Sequence, residues 1–149
     1  MTSLLIHAGL GVLTVLVFFY VNAHLYRGEW PGSRMTWLEK VYWTSAVVSV
    51  CIGWFFNVRY VFTYPADASW LHFTKMLFDN PASGSAGQDM IITNVVLFPL
   101  WTMIDGPRRG LRGTWVYFMM SLFTSFGFSM GLYLAAQERQ LRWAAAQKI

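Results

Sequence analysis

WVYFMMSLFTSFGFSMGLYLAA, Trp115 to Ala136, is a run of 22 residues without a charge. A hydrocarbon core of roughly 30 Å takes about 20 helical residues to cross, so the run reads as a membrane-spanning helix of full length. How it is read decides how often the chain crosses and on which side its C-terminus lies. The surrounding composition fits the membrane class: of 149 residues 56% are apolar, 18% aromatic and only 12% charged. A soluble domain of this size could not cover so apolar a chain with polar side chains. The length is that of one domain.

Outward from that run, three more segments are apolar enough to span. Leu4 to Leu25 has no basic residue before it and no small-x-small cleavage site after it, so it is expected to be a helix of the mature protein rather than a signal peptide. Val41 to Phe62 is the second. The third, Asp89 to Ile104, is short: at about 1.5 Å per residue it reaches only roughly 24 Å, which predicts local thinning or a deep start. Within the long connection Thr63 to Gln88, Trp70, Phe73, Leu77 and Phe78 recur at helical spacing opposite His72, Lys75 and Asp79. That pattern predicts an amphipathic helix over 69–79 lying in the interface. The fold class expected is therefore an all-α membrane protein: a single bundle over 1–149 with four transmembrane helices, 4–25, 41–62, 89–104 and 115–136, plus the short interfacial amphipathic helix. Tryptophan and tyrosine cluster at the ends of these spans, as in an interfacial aromatic belt.

With four crossings, the N-terminus, the long loop and the C-terminus share one side. The first and third loops then carry six Lys and Arg against five on the other side. The first helix has no basic residue before it and three after it, which tips the orientation toward loops one and three in the cytoplasm and both termini outside.

Helices in lipid meet through small residues that allow close approach. Ser45, Ser49, Gly53 and Asn57 form one such line, and Ser121, Ser125 and Ser129 another, beside the Gly127/Gly131 pair at GxxxG spacing. Both are expected to be packing faces. Pro99 removes a backbone bond and is expected to bend the third span.

Ionisable residues near membrane depth are the default functional candidates. Arg59 and Asp89 lie at the facing ends of consecutive spans, which predicts a salt bridge, as a structural clasp or as the centre of a ligand site with Asn57, Asn80 and Ser83. In the loop before Asp89, Asn80-Pro81 favours a turn, and Ser85 with Gln88 has capping-box spacing that predicts a helix start there. A helix start could hold an anion, which Asp89 opposes unless Arg59 neutralises it. His7 and His24 stand at opposite ends of one helix and His72 lies near a loop, which argues against bis-His haem. No metal motif, catalytic triad, phosphate loop or dinucleotide fingerprint is present, and no basic reader face suggests nucleic acid. The lone Cys51, inside an apolar run, offers no disulfide framework.

From Val41 onward the chain resembles DUF2834, a family of small bacterial membrane proteins of unknown function. The resemblance rests on the N-P-x-S turn at Asn80 to Ser83, the acidic helix start at Asp89, the pair Arg108 and Arg109 with Trp115 following, and the Glu138–Arg139 pair closing the last helix. It covers roughly 41–139, leaves the first helix outside, and implies a multi-pass protein of the bacterial cytoplasmic (inner) membrane without implying a reaction.

The function expected is an accessory or assembly subunit that meets other membrane proteins, its own copies, lipids, or an isoprenoid or pigment. The alternative is a membrane-embedded lipid or isoprenoid isomerase or cyclase with Asp89 as general acid. No cofactor is identified beyond such a bound lipid, isoprenoid or pigment.

Overall fold

The computed structural model describes residues 2–148, and all the regular structure among them is helical. Helix α1 runs Thr2–Val21, and after a break at Asn22 a single turn, α2, covers Ala23–Tyr26. Helix α3 covers Trp37–Thr63 and α4 Trp70–Met76. Helix α5, Pro81–Ile91, passes through a wide turn at Ile92–Leu97 into α6, Phe98–Arg108. Helices α7, Trp115–Phe123, and α8, Phe126–Ala146, complete the chain. Among the described residues three helices are long and apolar enough to cross a membrane: Leu4–Val21, Trp37–Thr63 and Pro81–Arg108.

The third of these is longer than expected because its start lies elsewhere. Asn80, not Ser85, is the N-cap: its Oδ1 accepts from the amides of Ala82 at 3.1 Å and Ser83 at 3.0 Å. Pro81 occupies the first turn, where a missing N–H costs nothing. Ser85, Gln88 and Asp89 are thus interior to α5, and the helix needs no thinned bilayer. Pro99 expresses itself as the wide π-type turn just before it, since a proline leaves an upstream carbonyl without its amide partner.

The run Trp115–Ala136 is not a fourth span. It breaks at Thr124 and Ser125, and α8 folds back antiparallel along α7. Ser129 Oγ donates to the carbonyl of Tyr117, 12 residues away, where a continuous helix would separate them by about 18 Å. The Tyr117 and Tyr133 rings pack edge-on at 5.1 Å. Local chemistry makes the turn self-sufficient. The Thr124 and Ser121 hydroxyls donate to the carbonyls of Met120 and Phe118, both at 2.7 Å, and Ser125 Oγ caps α8 by accepting from Phe128 N at 3.1 Å.

Helices α1 and α3 pack against that turn. Gly11, half-way along α1, is so close that a Cβ there would stand 3.0 Å from the Phe123 carbonyl oxygen. From α3, a Cβ on Gly53 would stand 3.3 Å from Ser125 Cβ, and the hydroxyls of Ser49 and Ser125 are 3.1 Å apart. The nine residues of α7 span about 14 Å, roughly half a hydrocarbon core. Non-helical backbone at such depth is tolerated only where protein surrounds it.

Helix α8 is the axis of the bundle. Leu132, Tyr133, Ala135 and Ala136 are fully buried, and α8 packs along the length of α3 with Gly131 against Ala46 and Gly127 against Ser49. Helix α1 lies along α7, with Phe18 against Tyr117. The chain therefore has two ends. Asn22 Nδ2 bonds the Arg112 carbonyl at 3.3 Å, and His24 meets Gln140 at 3.1 Å, so the first loop, the α6–α7 loop and the C-terminal part of α8 gather at one end. At the other end, Trp70 Nε1 donates to His7 Nε2 at 2.7 Å, and Tyr60 meets His72 at 2.8 Å. Four crossings would put the C-terminus with the N-terminus and the long loop. The fold-back returns it to the end of loops one and three.

Candidate functional site

The densest polar chemistry lies at the end where the C-terminus returns. Glu39 lies in the first turn of α3, its amide donating to the Thr36 hydroxyl at 3.1 Å. Its carboxylate is fully buried and takes two guanidinium groups from α8. Arg139 Nη1 reaches Oε1 at 2.8 Å, and Arg142 reaches Oε2. Both arginines also fasten the first loop: Arg139 Nε donates to the Leu25 carbonyl at 2.6 Å, and Arg142 Nη1 to those of Gly32 and Arg34. The rings of Tyr26 and Trp30 lie over Arg139 at 5.1 and 5.6 Å, a cation–π arrangement that shields the pair from water. Burial pushes the Tyr26 phenol above its ordinary pKa, the Glu39 carboxylate adds to that, and Arg139 opposes it. With both carboxylate oxygens occupied, the cluster has the chemistry of a clasp rather than of a proton donor.

Beside it, at the end of α6, Asp105 Oδ2 accepts from Arg109 Nε at 2.6 Å, Gln137 Nε2 at 3.2 Å and Tyr133 OH at 3.3 Å. This second carboxylate ties α6 to α8. It is a quarter exposed, so its bond to Arg109 adds little stability by itself.

The residues expected to form a site are spread out. Arg59 is exposed near the end of α3, and among the described residues no ion pair joins it to Asp89. Asp89 is also exposed, its Oδ1 bonded at 2.5 Å by the neighbouring Gln88. Starting α5 at Asn80 puts Asp89 a further two turns into the helix, away from the end where a partner for Arg59 would stand. Asn57 is half-buried. Asn80 and Ser83 are together, but as the cap of α5, with Ser83 Oγ donating to the Asn80 carbonyl at 3.2 Å. The arrangement that the isomerase or cyclase reading requires around Asp89 is not assembled.

Of the small-residue lines, Ser49, Gly53, Ser125, Gly127 and Gly131 meet across α3 and α8. Ser45 faces outward and Ala46 takes its place. Ser121 bonds back along α7, and Ser129 closes the hairpin. The histidines are separated: His24 is at the clasp end with Gln140, while His7 and His72 are at the other end with Trp70 and Tyr60.

Sequence reasoning missed Glu39 and Arg142 and named no partner for Asp105. A signal for Glu39 was present, since Thr36 with Glu39 three residues on has capping-box spacing before an apolar run. Its arginine partners were not legible, because four spans place them across the membrane from it.

The model of DUF2834, described as a protein family of unknown function, matches residues 41–139. The chain belongs to this family. The match takes in the α7–α8 hairpin as far as Arg139 and all but the first turn of α3, and it leaves α1 outside. No curated protein and no solved structure matches the chain.

Proposed function

We propose that this DUF2834 protein is a non-enzymatic accessory or assembly subunit of the bacterial cytoplasmic membrane, which meets a membrane-protein partner or its own copies within the bilayer. The observation that carries this reading is α3. Its inner edge is committed to α8, while Val47, Val48, Ile52, Phe55 and Phe56 stand outward and bare, far more apolar surface than a water-facing helix carries. The one buried carboxylate among the described residues, Glu39, is engaged on both oxygens within the chain, which leaves surface contact rather than internal chemistry as the business of the fold.

A bound lipid or isoprenoid is the second reading. A shallow apolar groove of about 290 Å³, lined by Val95, Val96, Pro99, Leu100, Met103 and Ile104, favours it. Such a groove suits a hydrocarbon chain laid along α6.

Purification in mild detergent followed by native mass spectrometry tests both. A second polypeptide or a defined oligomer supports the accessory reading, and a bound isoprenoid or pigment, read also by its absorption spectrum, supports the second. A stable, ligand-free monomer would sink both.

A further inference from the structure

Eleven Lys and Arg are divided almost evenly, six to five, if the chain crosses four times. The fold-back removes that balance. Arg139, Arg142 and Lys148 follow α8 back to the end that already holds Arg27, Arg34, Lys40, Arg108, Arg109 and Arg112, and only Arg59 and Lys75 remain at the other. Nine cations share one end with four carboxylates, Glu29, Glu39, Asp105 and Glu138, and two cations share the other with Asp67 and Asp79, while Asp89 stands about two turns further along α5.

The cations at the basic end fall into two sets. Arg109, Arg139 and Arg142 are engaged by Asp105, Glu39 and Glu138. Arg27, Arg34, Lys40, Arg108, Arg112 and Lys148 are exposed, and among the described residues none of the six is in an ion pair. These six lie on the first loop and the start of α3, on the end of α6 and the loop after it, and just beyond α8. Trp37 and Trp115, both exposed at helix starts, lie at the same end, where indoles anchor at headgroup depth.

We propose that α7–α8 is a re-entrant hairpin inserted from this end, and that the end it completes is a docking surface for the anionic phospholipid headgroups of the cytoplasmic leaflet. The chain then crosses three times, with its N-terminus outside and its C-terminus in the cytoplasm. Charge complementarity picks the occupant: six exposed cations at one end, in no ion pair among the described residues, find their counter-charge in phosphatidylglycerol-type headgroups and not in zwitterionic ones. Positive-inside bias then orients the chain. The inference rests on the membrane reading of the chain but not on the accessory role.

Sidedness is tested on the full chain with Cys51→Ala as background and single cysteines Glu29→Cys, Asp67→Cys and Lys148→Cys. A membrane-impermeant maleimide is applied to right-side-out and to inverted vesicles. Positions 29 and 148 should label only in inverted vesicles and position 67 only in right-side-out ones. Labelling of position 148 together with 67 would make the hairpin a fourth span and overturn the proposal, as would labelling of 29 and 148 from outside.

The lipid is tested by native mass spectrometry of the purified chain with added phosphatidylglycerol or phosphatidylcholine. Phosphatidylglycerol should be retained preferentially. The triple variant Arg27→Gln/Arg108→Gln/Arg112→Gln should weaken that retention on the order of a hundredfold, about fivefold for each cation lost. Equal retention of both lipids, or an unchanged triple variant, overturns the docking surface. Release of the chain from vesicles by alkaline carbonate would instead defeat the membrane reading itself, an outcome distinct from either.

Discussion

Arg139 and Glu39, 100 residues apart, meet at 2.8 Å inside the protein and lock the last helix to the start of α3. The carboxylate is 1% exposed and the guanidinium 11%, so neither has water to fall back on if the other is removed. Glu39→Ala is therefore expected to destabilise by about 3–5 kcal/mol, since it leaves the buried Arg139 without a counter-charge and Arg142 with Glu138 as its one remaining carboxylate. Thermal unfolding in detergent measures it. A loss under about 1 kcal/mol would mean that the clasp is not formed.

The hairpin turn predicts a contrast between two glycines two residues apart on α1. A Cβ at Gly11 meets the Phe123 carbonyl and Thr124, whereas a Cβ at Gly9 meets nothing within 4 Å. Gly11→Val should cost about 1–3 kcal/mol through overpacking, and Gly9→Val should be close to neutral. Equal effects of the two in an unfolding assay would remove the turn from the face of α1.

Gly131 sets the distance between α3 and α8. A Cβ there would stand 2.8 Å from both the Tyr42 carbonyl oxygen and Ala46 Cβ, and the carbonyl belongs to a helix backbone that cannot step aside. Gly131→Ala should push the helices apart and destabilise by about 1–3 kcal/mol, although alanine is the better helix former. The control is Gly84→Ala on α5, where the added Cβ meets only Phe78 at ordinary contact distance. If denaturation midpoints of the two variants coincide, Gly131 is not the point of closest approach.

Asp89→Asn is expected to leave insertion and folding intact, within about 0.5 kcal/mol, because the carboxylate is exposed and bonded only by Gln88. Circular dichroism and expression level are the measures. Loss of assembly would revive the clasp with Arg59, and loss of a cellular lipid or carotenoid product with assembly intact would revive the enzyme reading.

The helical membrane class is legible because hydrophobicity is a property of each segment by itself. The second span lies within α3, the first runs through α1 and its broken turn α2, and α4 lies within the helix expected over 69–79. The third span differs at its start. Asn80-Pro81 reads as a turn, yet the same pair is a good helix opening, because an asparagine cap and a proline in the first turn serve either role.

The fourth differs for another reason. Ser121, Ser125 and Ser129, one turn apart, suit a continuous helix facing a neighbour, and they equally suit a helix end, an N-cap and a hairpin closure. What chooses between them is the partner surface. Gly11, Ser49 and Gly53 make room for the turn and bond it, and these come from helices more than seventy residues earlier in the chain.

By itself the sequence determined that the chain is helical and apolar, and which residues are small enough for helices to touch, since each follows from local composition. Only the tertiary structure decided that Trp115–Ala136 folds back, that nine cations share one end, and that Glu39 rather than Asp89 is the buried carboxylate. An apolar run specifies its solvent but not its direction, and direction is set by contacts between segments far apart in the chain.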